Sequence, residues 1–290
     1  MESKPLYINI KGILLSLKEP RVMGIINITP DSFFKGSRFT DEQTLLSVAF
    51  KMKEDGADFI DIGGYSTRPG AASVPVDEEK RRVLPAIKLI SREIPGVIIS
   101  VDTFRADVAR EAVCDCGAHI INDISGGEGD RAMFPLIKEL NVPYILMHMQ
   151  GTPTTMQSNP LYDDVVADIL QWFGKRIVHL QSAGVKDLII DPGFGFGKTE
   201  DQNFELLRRL NEFSVAGLPV LAGLSRKSMI WKSLDISPED SLTGTSVLNT
   251  IALLNGADIL RVHDVKEAKQ AIKLVDRLRH KRDLIVDKQG

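Results

Sequence analysis

A chain of 290 residues exceeds one average domain and suits a single α/β barrel. Hydrophobic residues make up 43% and charged residues 26%, an ordinary balance for a soluble globular protein. The formal net charge of −3 excludes a general attraction to nucleic acid or to a membrane surface, so an anionic ligand has to be met by a local cluster of cations.

The opening Met1-Glu2-Ser3-Lys4 begins no signal peptide, and no apolar run in the chain reaches the length of a membrane span. A cytoplasmic setting is therefore expected. Residues 6–17 read as a hairpin turning at Lys11-Gly12. Compact apolar runs follow at 21–26, 59–62, 97–101, 120–124, 144–147, 188–190, 220–222 and 259–262. Segments of helical spacing separate them; in the first, Leu45, Val48, Ala49 and Met52 share one face. Asp55-Gly56-Ala57-Asp58, Cys116-Gly117-Ala118, Ala183-Gly184-Val185 and Asn255-Gly256-Ala257-Asp258 each place glycine at a helix end just before a strand. Cys114 and Cys116 stand too close for an ordinary disulfide and are expected as reduced, buried thiols. Eight strand–helix units without a composition break predict one domain over residues 1–290, a (β/α)8 TIM barrel with a short N-terminal hairpin. A doubly wound open sheet is the alternative.

Barrel enzymes carry their chemistry at the C-terminal strand ends. After the first strand stand Asn27-Ile28-Thr29-Pro30-Asp31-Ser32-Phe33, and after the second Gly63-Gly64-Tyr65-Ser66-Thr67-Arg68-Pro69-Gly70. The next three end in Asp102-Thr103, Asn122-Asp123 and Met147-His148. The sixth runs into Asp191-Pro192-Gly193-Phe194-Gly195-Phe196-Gly197-Lys198, a carboxylate followed by glycines, aromatic faces and a lysine. Ser225-Arg226-Lys227-Ser228 and Arg261-Val262-His263 complete the rim. Singly, each residue has a plainer role: a helix cap for Asp102, Asp123 or Asp191, a turn for Asn27 or Asn122, a solvated charge for Lys227. Polar groups after all eight strands are not explained by separate plain roles.

Ionised Asp102 and Asp191 only accept hydrogen bonds, whereas Asn122 donates and accepts. Together they match an amide–amidine edge, as on a guanine-like or pterin ring. Arg261 can stack on such a ring or grip phosphate. Asn27, Arg261 and His263 suit an anion, and Asn27 also suits a hard cation such as Mg²⁺. The sequence shows no Cys/His zinc spacing and no convincing serine triad. Lys227 admits a Schiff-base role, its pKa lowered by Arg226, but that leaves the ring-binding set unused. Ring and phosphate groups in one rim point to transfer of a ring-bearing group from a phosphate ester.

These blocks, in this order, resemble the signatures of the dihydropteroate synthase family from about Gly24 to His263. The resemblance implies condensation of 6-hydroxymethyl-7,8-dihydropterin diphosphate with 4-aminobenzoate, releasing pyrophosphate, on a (β/α)8 barrel. It implies that Asp102, Asn122, Asp191 and Lys227 hold the pterin edge, with Arg261 against its face and Met147 and Gly223 lining the slot. Phe196 becomes a wall between ring and aminobenzoate. Asn27, Arg261 and His263 would bind the diphosphate with Mg²⁺, and Phe33, Thr67, Arg68, Pro69, Phe196 and Ser228 the aminobenzoate. Lys198 is expected to be peripheral to the anion. The resemblance also implies a homodimer through helices near residues 245–254, although the apolar stripe Val247, Leu248, Ile251 and Leu254 is adequately explained by core packing. Two positions depart from the family pattern: Lys35, where an aspartate is frequent, and Tyr65, where glutamate is more usual. A pterin-dependent methyltransferase-type barrel has no use for Thr67-Arg68-Pro69 or for the Lys227 and Arg261-Val262-His263 set. A silent pterin-binding barrel would be signalled by loss of a diphosphate residue, of which none is lost.

Overall fold

The eight-stranded sheet runs in the order β8-β7-β6-β5-β4-β3-β10-β9. Its strands are β3 (Arg21–Asn27), β4 (Phe59–Gly63), β5 (Ile98–Asp102), β6 (Ile120–Asp123), β7 (Tyr144–Met147), β8 (Leu188–Asp191), β9 (Leu221–Ala222) and β10 (Ile259–Val262). All of its pairings are parallel. A bridge between Ile190 and Val220 joins the two outer strands, and Ile190 N–H donates to Pro219 O at 2.9 Å. That contact closes the sheet on itself and decides for the barrel over the open sheet. The computed structural model describes residues 6–28, 38–65, 74–152, 155–156 and 160–286.

Strands buried on both faces need continuous apolar runs, which is why Val, Ile and Leu dominate them. Outside them lie α1 (Arg38–Glu54), α2 (Val76–Glu93), α3 (Ala106–Glu111), α4 (Met133–Leu140), α5 (Val165–Ser182), α6 (Glu200–Arg208), α7 (Ser228–Trp231), α8 (Leu242–Leu254) and α9 (Val265–Val286). Leu45, Ala49 and Met52 of α1 join the large core between strands and helices. Among the described residues no helix is long and apolar enough to cross a membrane.

The hairpin pairs β1 (Tyr7–Ile10) with β2 (Ile13–Ser16) across Lys11 and Gly12, whose φ values of 48° and 89° are those of a tight hairpin turn. Its Ile8 and Ile10, with Leu17, pack onto Met23, Phe59, Ile120, Ile145, Ile189, Leu221 and Ile259, which start or lie low in the barrel strands. The hairpin therefore plugs the N-terminal end of the barrel. Ligand access is left to the opposite mouth.

Two sequence expectations are corrected. Beyond α3 the chain makes a π turn, Ala112–Cys116, ended by Gly117 at φ 96°. That extra residue turns Cys114 outward, so it is exposed and Cys116 only half-buried; neither thiol is a core group. On α8, Leu248 packs inward, but Val247, Ile251 and Leu254 are 53%, 37% and 54% exposed. Core packing explains only one member of that stripe, because Thr245, Asn249, Ala252 and Leu253 supply the rest of the inner face.

Candidate active site

Register brings the strand-end residues into one ring. Gly63 lies beside Asp102, Asp102 beside Asn122, and Met147 beside Asp191. At the centre is the Arg261 guanidinium, whose Nε donates to Asp61 Oδ2 at 2.6 Å and whose other arm donates to Asp102 Oδ2 at 2.7 Å. Asn122 Nδ2 donates to the same Asp61 oxygen at 3.0 Å. Burial works against the Arg261 cation, but Asp61 and Asp102 outweigh it and raise its pKa, so it stays charged. For Asp102, burial raises the pKa to about 7, with Arg261 pulling the other way and Asp61 adding to the rise.

On the far side of the mouth, Asp191 accepts from Gly193 N–H at 2.8 Å. Burial raises its pKa, opposed first by Lys227. Lys227 donates to Phe194 O and holds its ammonium 4.8 Å from the Phe196 ring centroid. Burial lowers its pKa to about 8, with Asp191 opposing and Arg261 adding to the fall. Phe196 packs against Ile124, Met147, Met149 and Met156, an apolar wall beside the polar ring. A Cβ on Gly223 would come within 3.6 Å of Lys227 Nζ and 4.0 Å of Arg261 Cβ. The result is a slot with one buried and one half-buried carboxylate, an amide and a lysine on its polar edge, sulfur and an aromatic ring on its wall, and a guanidinium held within it.

Other expected residues fall elsewhere. Asn27 ends β3 with its side chain exposed, and the neighbouring β10 leads to exposed His263. His263 Nδ1 is 3.0 Å from Ser225 Oγ. Ser228 is half-buried at the start of α7, directly after Lys227. Arg226, at φ 56°, points its guanidinium at Asp264 with contacts of 3.0 and 2.8 Å. It is engaged away from Lys227, so burial and Arg261, rather than Arg226, lower the pKa of that lysine. Phe33, Lys35, Thr67, Arg68 and Pro69 lie outside the described residues. Tyr65 is edge-on to Phe104 at 5.3 Å, and the Arg105 guanidinium sits 5.5 Å from its ring centroid. Asp123 does not cap a helix: it accepts from Ser125 N–H, Ser125 Oγ, Gly127 N–H and Tyr144 Oη at 2.6–2.9 Å, holding its own loop. Nor does Asp191, since α6 is capped by Thr199 in a reciprocal box with Gln202.

Sequence reasoning missed Asp61. It lies within β4 rather than after it, fully buried, and anchors both Arg261 and Asn122. The available signal was a carboxylate inside the apolar run Phe59-Ile60-Asp61-Ile62, which needs a buried partner.

Residues 23–263 match the profile of the pterin binding enzyme family. The chain is also 46% identical to dihydropteroate synthase of Escherichia coli (strain K12) over 268 residues, covering 92% of this chain and 94% of that one. The chain belongs to the dihydropteroate synthase family. The dihydropteroate synthase of Bacillus subtilis (strain 168) is 43% identical, covering 94% of each chain. Among solved structures, Yersinia pestis dihydropteroate synthase in a sulfonamide drug complex aligns with a TM-score of 0.88 at 41% identity, covering 95% of this chain and 100% of that one. The Xanthomonas albilineans dihydropteroate synthase with 4-aminobenzoic acid aligns at 0.87 and 40% identity, covering 95% and 99%. The dihydropteroate synthase barrel is thus matched over nearly its whole length, strand ends included.

Proposed function

We infer that the chain performs the reaction for which its relatives are named, joining 6-hydroxymethyl-7,8-dihydropterin diphosphate to 4-aminobenzoate with release of pyrophosphate, a transferase step of folate biosynthesis. The observation that carries the reading is the slot itself: Asp102, Asn122, Asp191 and Lys227 on one polar edge with Arg261 among them. In this reading the two carboxylates and the amide of Asn122 meet the N–H-rich edge of the pterin. Met147, Gly223 and Phe196 line its faces. The carbon–oxygen bond to the diphosphate breaks first, and both electrons leave with pyrophosphate, whose charge Arg261 and His263 meet. The remaining methylene cation is conjugated with the dihydropterin and compensated by Asp102 and Asp191. The aniline nitrogen of 4-aminobenzoate, held by Phe33, Thr67, Arg68, Pro69, Phe196 and Ser228, attacks that carbon and then loses its proton. No protein nucleophile is required.

Mg²⁺ belongs to the same reading. Asn27 offers one exposed amide oxygen at the mouth, which fits an ion held mainly by substrate phosphates and water. Such an ion, when bound, neutralises charge on the diphosphate. The direct test is to incubate the protein with the pterin diphosphate, 4-aminobenzoate and Mg²⁺ and assay both pyrophosphate and dihydropteroate. Formation of neither overturns the assignment.

A bell-shaped pH dependence of kcat/KM for the pterin diphosphate is expected. Asp102, with its pKa near 7, gains acceptor capacity as it deprotonates, so the profile climbs through that value. Lys227, near 8, loses its charge above that pH, so the profile then falls. Asp102→Asn should flatten the acid limb; an unchanged limb assigns it to another group.

The cytoplasm is the setting this reading gives the protein, and the assembly it gives is a homodimer. Val247, Ile251 and Leu254 of α8 are exposed along one face, and Leu274 and Leu278 of α9, which packs on α8, are 68% and 63% exposed. Exposed apolar side chains on two helices packed together favour a partner surface. Ile251→Glu is expected to convert the dimer to monomer in sedimentation velocity, and a wild-type monomer at micromolar concentration rules the dimer out.

A further inference from the structure

The ring-binding loop after β8 carries three left-handed glycines, Gly193, Gly195 and Gly197, at φ 74°, 79° and 61°. A loop of that shape has little ladder of its own and depends on outside ties. Lys198, at its far end, turns back beneath it and is 2% exposed. Its ammonium donates to Gly193 O at 2.9 Å and Phe196 O at 3.0 Å, and lies 3.2 Å from His148 Nδ1. Burial lowers the Lys198 pKa to about 7, with Asp191 opposing and Lys227 adding to the fall. In its charged form the group has three N–H donors, and these three acceptors use them all. Burial lowers the His148 pKa to about 2. The imidazole is therefore neutral; with Nδ1 accepting, its proton sits on Nε2.

The ties are coupled through one residue. Gly193 N–H donates to the Asp191 carboxylate, while Gly193 O accepts from both Lys198 and Phe196 N–H. Shifting the Gly193 carbonyl therefore moves the group that orients Asp191 and the backbone that carries the Phe196 ring. Lys198 meets the slot residues only from behind, through the backbone oxygen of Phe196 and the charge of Asp191.

We propose that Lys198, with His148 as its acceptor, is a positioning residue that staples the Gly193–Phe196 turn from beneath and so fixes Asp191 and Phe196 toward the pterin slot. The proposal rests on the ring site described above. It is tested by calorimetric titration of the full-length protein with 6-hydroxymethyl-7,8-dihydropterin diphosphate, alongside KM for 4-aminobenzoate at saturating pterin. Lys198→Met and His148→Leu are each expected to weaken pterin diphosphate binding about tenfold, the scale of one lost charged hydrogen bond. The KM for 4-aminobenzoate should shift less than about threefold, because most of that site lies on other loops. His148→Asn, whose amide oxygen can take the place of Nδ1, should recover most of the affinity lost in His148→Leu. Wild-type affinity in Lys198→Met, or equal losses in His148→Asn and His148→Leu, overturns the proposal while the ring site stands. A wild-type protein that binds no pterin diphosphate overturns the ring site and the staple together. Should Lys198→Met not fold, the two His148 variants decide.

Discussion

Asp61→Ala is expected to lower the unfolding free energy by about 3 kcal/mol, the low end of the cost of breaking a buried ion pair from one side. It should appear as a lower urea midpoint at unchanged slope. One oxygen of Asp61 serves both Arg261 Nε at 2.6 Å and Asn122 Nδ2 at 3.0 Å. Without it, Asp102 is the remaining carboxylate hydrogen-bonded to Arg261 among the described residues, with Asp191 acting at longer range, and the Asn122 amide loses a buried acceptor. The low end is chosen because the wild type already carries a cost there. Asp61 Oδ1 and the Oγ of Ser100, its register neighbour on β5, are buried without a hydrogen-bond partner among the described residues. Alanine removes the first of these. A second consequence has a definite sign. The Asp61 charge helps to raise the Asp102 pKa, so its removal should move the acid limb of the pH profile to lower pH. A midpoint matching the wild type would mean that Asp102 alone suffices as the counter-ion of Arg261.

Asp61 also marks where reading the sequence stops. Asp102 and Asp191 were legible because parallel strands buried on both faces are written as apolar runs, and a polar residue at such a run's end reaches the barrel mouth. Asn122 and Arg261, inside their runs, were legible from the polar blocks that continue beyond them. Asp61 sits one layer deeper. Seeing its partner requires the sheet order, which pairs β10 with β3 and brings Arg261 to Asp61 of β4 and Asp102 of β5. Lys198 hid for a different reason. A lysine after a glycine-rich turn reads as solvated, and only the fold shows it turned under its own loop, with His148 from the adjacent β7 as acceptor. The outer face of α8 was illegible because apolar residues stand on both of its sides, Leu248 and Leu253 inward and Val247 and Ile251 outward, so periodicity could not say which side meets the barrel. Exposure of Cys114 follows from one extra residue in a π turn, which no spacing rule announces.

Gly193→Ala is expected to do more to the site than any change of a ligand-facing side chain. A Cβ at this position would stand 1.9 Å from the backbone oxygen of His148. Neither partner is a flexible side chain, so the turn or the strand end must move. The φ of 74° adds roughly 1–2 kcal/mol for any L residue held in the left-handed region. The displaced unit is the one whose N–H orients Asp191 and whose carbonyl holds Lys198 and Phe196 N–H. Pterin diphosphate affinity should therefore fall by at least about a hundredfold, or roughly 3 kcal/mol, with a comparable loss of stability in urea. Gly195→Ala is the internal control. Its φ of 79° is equally unfavourable, yet its Cβ would meet only Lys227 Cδ at 3.2 Å, a chain that can give way. It should cost about 1–2 kcal/mol from the backbone alone and leave the turn in place. Because Lys227 also serves the slot, the comparison is made on stability: equal losses in urea in the two variants would show that left-handed strain, rather than the close approach of Gly193 to His148, is what the glycines are there to relieve.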